Sequence, residues 1–355
     1  MPSLRKVAAQ RGARGPDLPT TGTRAHINHP TPFLTVNFES ISLRFPSPAL
    51  PALILAAVLL PDRALACACG CGIYEVGTAN MMPTSSGIMA DVDYDYQDQD
   101  HNWSGSSEAP DADNSDKDIR TSWETFGFQD MFNRNWGVRL EVPYEERHFV
   151  TVSNAPGGPL TDLNFSGIGD IRIEGIYTGF SPDMSQGLTF GLKLPTGSYT
   201  TNNVWGDIDR DSQIGSGSTD LLLGGFSRFN IDTDYGWSGF TQGLFEIPVL
   251  TQVQYRPGAE LDVAAGAYYN GWHIGRMLIS PIGQLKVSIR ARDSGANATY
   301  PIASGFERLL IAPGIECDVH PVRFYADVEL PLFEHFNGNQ VAAPVLVRVN
   351  VSYMF

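Results

Sequence analysis

The chain has 355 residues, 42% hydrophobic and 18% charged, and its 24 Lys+Arg against 39 Asp+Glu give a net charge of −15. That apolar content excludes a disordered chain, and the acidic balance excludes a general nucleic-acid binder, which needs a basic footprint. A mean hydropathy of −0.13 and a longest apolar run of only Ala52 to Leu60 exclude a bundle of membrane helices. One membrane architecture survives a polar average, the β-barrel, whose strands alternate.

Residues 1–66 read as an address. Met1 to Glu39 is basic, Pro-rich and unpatterned, which points to a gene start placed too early. Arg44 to Ala66 has the parts of a secretory signal: Arg44 as the positive end, Ala49 to Leu60 as the apolar stretch, Pro61 as helix breaker, and Ala64-Leu65-Ala66 as a small-x-small cleavage site. Cleavage is expected between Ala66 and Cys67. The removed segment holds seven of the basic and three of the acidic residues, so the mature chain carries 17 against 36, a net charge of −19.

Cys67, Cys69 and Cys71 follow the cleavage point, and Cys317 stands alone. Three readings compete. Cys67 could carry a lipid, although Ala64 stands where a lipobox usually has Leu. The three thiolates could hold a soft metal such as Cu(I). Disulfides or free thiols in an oxidising compartment are the third reading. Residues 67–86 are expected to form a periplasmic or lumen-plugging segment, with Gly72 to Ser86 as the plug.

From residue 87 onward apolar and polar residues alternate, the period that sends them to opposite faces of a strand. First, Ile88, Ala90, Val92, Tyr94 and Tyr96 alternate with Asp91, Asp93 and Asp95. A weaker segment, Trp123–Phe128, follows. Val138, Leu140, Val142 and Tyr144 then frame Arg139, Glu141 and Glu145, and Ile171 and Ile173 frame Arg172 and Glu174. Leu188 to Leu194 alternates with Thr189, Gly191 and Lys193. Leu221–Phe229, Trp237–Ile247 and Leu261–Tyr269 are again weaker. Leu285, Val287 and Ile289 alternate with Lys286, Ser288 and Arg290; Leu309–Cys317 follows. Val322 to Leu330 alternates with Arg323, Tyr325, Asp327 and Glu329. Val345 to Phe355 closes the series, with Arg348, Asn350 and Ser352 on the other face.

That counts to twelve, the even number that places both ends of a bacterial barrel in the periplasm. Loops alternate long (98–117, 147–166, 197–217, 250–258, 292–305, 334–344) and short (Asn133-Arg134-Asn135, Ser181-Pro182-Asp183, Asp232-Thr233-Asp234, Asn270-Gly271, His320-Pro321). The expected fold is all-β: a transmembrane antiparallel β-barrel of about twelve strands, of bacterial outer-membrane type, over residues 87–355. Its apolar face meets lipid and lipopolysaccharide, and its charged face lines the lumen. Tyr353 and the terminal Phe355 resemble the assembly signal read by the barrel-assembly machinery.

Three motifs stand in order: Gly167-Ile168-Gly169-Asp170 opening strand four, Leu194-Pro195-Thr196-Gly197 closing strand five, and Gly215-Ser216-Gly217-Ser218-Thr219-Asp220 opening strand six. With Arg256-Pro257-Gly258, this order resembles the outer-membrane family named for the meta-pathway of phenol degradation, transporters related in architecture to long-chain fatty-acid channels. The likeness spans roughly residues 85–355. It implies passive transport of a hydrophobic or aromatic solute.

Twelve strands enclose less space than a 16- or 18-stranded porin, so a monomeric, narrow or plugged channel for a small solute is expected. The alternative is a non-conducting structural or copper-associated envelope protein. Asp111-Ala112-Asp113-Asn114-Ser115-Asp116 has alternating oxygen ligands, but no Gly or distal Glu completes a calcium loop. No catalysis is expected: of the histidines His101, His148, His273, His320 and His335, His273 and His320 fall at periplasmic turns, and no His-x-Ser pairing accompanies His148 or His335 near the outer rim. No haem motif or other cofactor is predicted.

Overall fold

The computed structural model describes residues 82–152, 159–203 and 206–355. The signal segment, Cys67, Cys69, Cys71 and residues 72–81 lie outside the described residues. Twelve strands follow: β1 Gly87–Gln99, β2 Asp116–Met131, β3 Trp136–Val152, β4 in two pieces (Leu160–Ile168 and Ile171–Tyr177), β5 Gln186–Leu194 and β6 Ser218–Asp232. The second half is β7 Trp237–Thr251, β8 Glu260–Tyr269, β9 Met277–Arg290, β10 Phe306–Val319, β11 Val322–Ala342 and β12 Leu346–Met354.

Each strand pairs antiparallel with the next, from β1 with β2 to β11 with β12. The ring then closes: β12 runs antiparallel to β1 from Met89↔Met354 to Gln97↔Leu346. A closed sheet has no edge, so every strand finds its backbone partners without water.

Alternation sets the two faces. Along β1, Asp91, Asp93, Asp95, Gln97 and Gln99 are buried, while Val92 and Tyr94 face out. The exterior carries Phe126, Leu223, Phe190 and Ile173, all well exposed. A lower aromatic belt surrounds the short turns: Trp136 lies 4.6 Å from Tyr177, Trp237 5.7 Å from Tyr269, and Tyr353 4.8 Å from Phe355. Tyr94 and Tyr144, both in register with Glu124, mark the upper limit. Trp136 to Tyr144 is eight residues, roughly 26 Å along the strand and so about 20 Å along the barrel axis at a tilt of about 40°, which fits within the apolar band of an outer-membrane barrel.

The strands run longer than the alternation indicates. β2, β3 and β11 have 16, 17 and 21 residues, whereas about ten suffice to cross a bilayer. The expected loop 147–166 therefore shrinks, because β3 and β4 stay paired from Val152↔Leu160 to Tyr144↔Ile168. The loop at 334–344 shrinks too, because Gln340 to Ala342 of β11 pair with the short strand His101–Gly105. Above the bilayer the outward side chains turn polar: Arg120 lies 3.6 Å from Asp98, and His148 2.9 Å from Asp162.

Candidate functional site

The lumen is built in tiers. Its periplasmic floor is apolar: Met131, Ile176, Phe226, Phe240, Ile282 and Tyr325 point inward and cluster with Met184 and with Met82, which precedes β1. Arg228 of β6 ties this floor together, donating to the carbonyls of Pro83 (2.9 Å) and Met184 (3.0 Å). Lower still, Arg323 meets Asp318 at 3.2 Å and Glu316 at 3.5 Å.

Above the floor, buried cations bridge strands. Arg139 donates from both terminal nitrogens to Asp91, each at 3.0 Å, and from Nε to Glu141 at 2.5 Å. Asp91 sits on β1 and Arg139 on β3, so this pair crosses β2. Gly127 of β2 makes the crossing possible: a Cβ there would lie 2.5 Å from the Asp91 carboxylate oxygens. Arg348 lies 2.9 Å from Asp95 and 3.4 Å from Asp93, which also accepts from Asn350. Lys286 lies 2.5 Å from Glu329 and 3.6 Å from Asp327. Asp327 further accepts from Gln284 and Tyr325.

The structure thus places Asp91, Asp93, Asp95, Arg139, Glu141, Arg172, Glu174, Lys193, Lys286, Arg290, Arg323, Asp327, Glu329 and Arg348 on the inner face. Not all pairings are between neighbours. Arg139 is in register with Glu174, and Glu141 with Arg172, yet Arg172 reaches Glu246 of β7 at 3.0 Å. Lys193 pairs with that same Glu246 and with Asp220 at 2.6 Å. Glu174 lines a small void of about 60 Å³ with Arg139 and Glu141. Tyr353 and Phe355 face outward, and the Phe355 N–H donates to the Ile88 carbonyl at 3.0 Å.

The three glycine motifs meet in one clasp. The Asp170 carboxylate accepts from the N–H of Gly197 (2.9 Å) and from the N–H and hydroxyl of Ser216 (2.9 and 2.6 Å). The Thr196 hydroxyl donates to the Gly169 carbonyl at 2.7 Å. Gly197 and Gly215 touch so closely that a Cβ on Gly215 would lie 2.2 Å from the Gly197 carbonyl oxygen. Gly169-Asp170 does not open strand four, however; it interrupts β4 between its two paired pieces.

The clasp folds the segment between β5 and β6 into the mouth, where Ile208, Asp211, Ser212, Gln213 and Ile214 are buried. Arg147 of β3 holds it from the side through the Ser212 and Gln213 carbonyls. Arg210 is sandwiched between Tyr199 and Tyr255, 4.6 Å from each ring centre. Burial and the neighbouring Asp293, whose carboxylate accepts from the Tyr255 hydroxyl at 2.7 Å, push the Tyr255 phenol well above its usual range. Ile208 also packs with Ile119, Phe149 and Val341, so residues near the end of β11 join the roof.

Between roof and bridging cations lies a cavity of about 170 Å³. β3 gives it Glu141, Glu145 and Arg147, β4 Asp170 and Arg172, and β5 Lys193. Glu246 comes from β7, Glu260 and Asp262 from β8, Arg290 from β9, and Arg210 and Asp211 from the roof. Seven carboxylates face five basic groups, with Trp123, Pro143, Leu244, Ile214 and Tyr255 as the apolar wall.

No family model matches the sequence, and no curated protein matches it. Among solved structures, an outer-membrane channel of Pseudomonas putida F1 is 11% identical, with a TM-score of 0.57 over 79% of this chain and 100% of that one. The fold is that of an outer-membrane barrel. The β domain of the Bordetella autotransporter BrkA (11% identical, TM-score 0.46, 76% and 100% covered) and the CymD monoaromatic hydrocarbon channel (8%, 0.37, 76% and 89%) lie further off.

Sequence reasoning missed Asp220, Glu246, Arg147, Arg228 and Gly127 as parts of the lumen. Glu246 lies in a segment of weak alternation, and Asp220 closes the third glycine motif. Asp170 was within a quoted motif, and its carboxylate among glycines was the available signal. Cys317 sits half-buried on β10 and has no disulfide partner among the described residues. Among the described residues no group of three or more His, Cys, Asp or Glu could hold a metal ion.

Proposed function

We propose that the protein is a narrow outer-membrane channel through which a small solute enters passively, and that it is not an enzyme. The observation that carries this is the charge-lined cavity of about 170 Å³ inside a closed sheet whose outer face is apolar. A barrel needing only structural roles could fill its interior with apolar side chains at lower cost, since each buried ion loses its hydration. Retained charge along an axial space is the usual means by which a pore selects what passes.

On this reading the chain is exported, cut between Ala66 and Cys67, and works as a monomer. Met82 in the floor cluster and Pro83, held by Arg228, narrow the periplasmic exit. The resemblance to the phenol meta-pathway family favours an aromatic solute; the charged cavity favours one with a polar group.

Swelling of liposomes loaded with the refolded mature chain, residues 67–355, tests the channel. Small solutes that the bilayer itself excludes, such as glycine, are expected to swell them, with the rate falling steeply as the solute outgrows one ring. A barrel that is folded, judged by its heat-dependent gel mobility, yet swells no faster than empty liposomes overturns the reading.

A further inference from the structure

Four buried or half-buried cations of the lumen each serve two carboxylates. Arg139 holds Asp91 and Glu141, and Arg348 holds Asp93 and Asp95. Lys286 holds Asp327 and Glu329, and Arg323 holds Glu316 and Asp318. Each group of three has one more carboxyl group than it has cations. Arg348 is in register with Asp95 on one side and Asp327 on the other, so three of the groups form one band across neighbouring strands, with the Arg323 group below it.

The cavity beneath the roof has a similar excess, seven carboxyl groups against five basic ones, with Glu141 shared between the two sets. Its basic groups are committed to holding structure: Arg147 to the roof carbonyls, Arg172 and Lys193 to Glu246, Arg210 between two tyrosines, Arg290 to Asp293 at 3.1 Å. Two carboxylates on opposite walls are held more loosely. Glu145 of β3 lies 3.5 Å from Arg147, and Glu260 of β8 accepts from the Ser288 hydroxyl at 3.2 Å.

We infer that the lumen selects cations, and that the solute it passes is a small organic cation of about one ring. This rests on the channel reading above. A negative surplus between low-dielectric walls focuses the field along the axis and concentrates cations there. The volume sets the size: an apolar cavity of about 150 Å³ accommodates benzene. Trp123 and Tyr255 stand in the wall, and the Arg210 guanidinium stacked on Tyr255 shows a cation already held against an aromatic ring there. An ammonium group has carboxylates at Glu145 and Glu260 to meet, whereas a carboxylate solute would enter against the field.

Planar bilayers holding the refolded chain, with a tenfold KCl gradient, test this directly. The reversal potential is expected on the potassium side, with a cation-to-anion permeability ratio several-fold above one. Glu145→Gln together with Glu260→Gln is expected to move the reversal potential toward zero. Benzylammonium should interrupt the wild-type current at concentrations where benzoate, the same ring with opposite charge, has no effect. This comparison needs no variant and stands even if the double substitution fails to fold. A conducting barrel with a ratio at or below one, or equal block by both probes, overturns the inference alone. Silence from a folded barrel overturns the channel reading and this inference with it.

Discussion

Gly127 shows how one missing side chain shapes the lumen. It faces inward on β2, in register with Asp91 on one side and Glu141 on the other. Its bare Cα leaves the space through which Asp91 reaches Arg139. Gly127→Ala places a Cβ 2.5 Å from the Asp91 oxygens. We expect it to destabilise the barrel by about 1–3 kcal/mol through overpacking, seen as a lower temperature of the gel-mobility transition; an unchanged transition would show that Asp91 moves aside freely. Tyr255 gives a pH prediction at the same scale. Its phenol is held protonated by burial and by Asp293, so the folded state binds a proton that the unfolded state releases near pH 10. Stability from this group is complete below about pH 10 and falls as pH rises further. The absorbance rise at 295 nm between pH 9 and 11 should therefore be the same in folded wild type and in Tyr255→Phe. A smaller rise in the variant would show that Tyr255 titrates normally.

The roof is the element on which access depends, and Asp170 is its pin. Asp170→Ala removes three acceptor contacts, each worth about 1.5–3 kcal/mol when the acceptor is charged, although water compensates part of the loss in the opened mouth. The freed segment is expected to be cut by trypsin at Arg210, and liposome swelling should accelerate; resistance equal to wild type would assign the anchoring to Arg147 and the Arg210–tyrosine stack instead. At the other end, Arg228→Ala releases the Pro83 carbonyl, so Met82→Cys should react faster with a maleimide in that background than alone. The sequence made the strands legible because a barrel wall separates two solvents, and period two records both along a strand such as Val345 to Phe355. It did not reveal the roof, because the burial of Ile208 and Ser212 depends on contacts with β3 and β4, far away in the chain. The long-range pair of Arg172 with Glu246 was hidden for the same reason: strand tilt and register, not spacing, bring β4 and β7 within reach across the lumen. The clasp was half visible. Its glycines stood in order in the sequence, but their convergence on one carboxylate is a tertiary fact.

At the scale of the whole molecule the protein inverts the arrangement of a soluble domain, with charges inside and apolar side chains outside. That inversion is stable only if the exterior meets hydrocarbon. Leu223, on the outward face of β6, is in register with Phe190 on one neighbour and Phe245 on the other, all three exposed. Tyr235, in the turn between β6 and β7, is more exposed still, at 75%, but belongs to the aromatic belt level. Arginine should therefore cost different amounts at the two positions: about 2–4 kcal/mol for Leu223→Arg and about 0–1 for Tyr235→Arg, following the depth dependence of charge on a barrel's lipid face. Urea titration of the folded fraction in phosphatidylcholine vesicles measures both. In a water-soluble barrel the order would reverse or vanish, since Leu223→Arg would relieve an exposed apolar patch. Equal costs at the two sites would remove the physical basis for placing this sheet in a membrane. A difference of two or more kcal/mol would fix both the orientation of the belt and the depth of β6 within the bilayer.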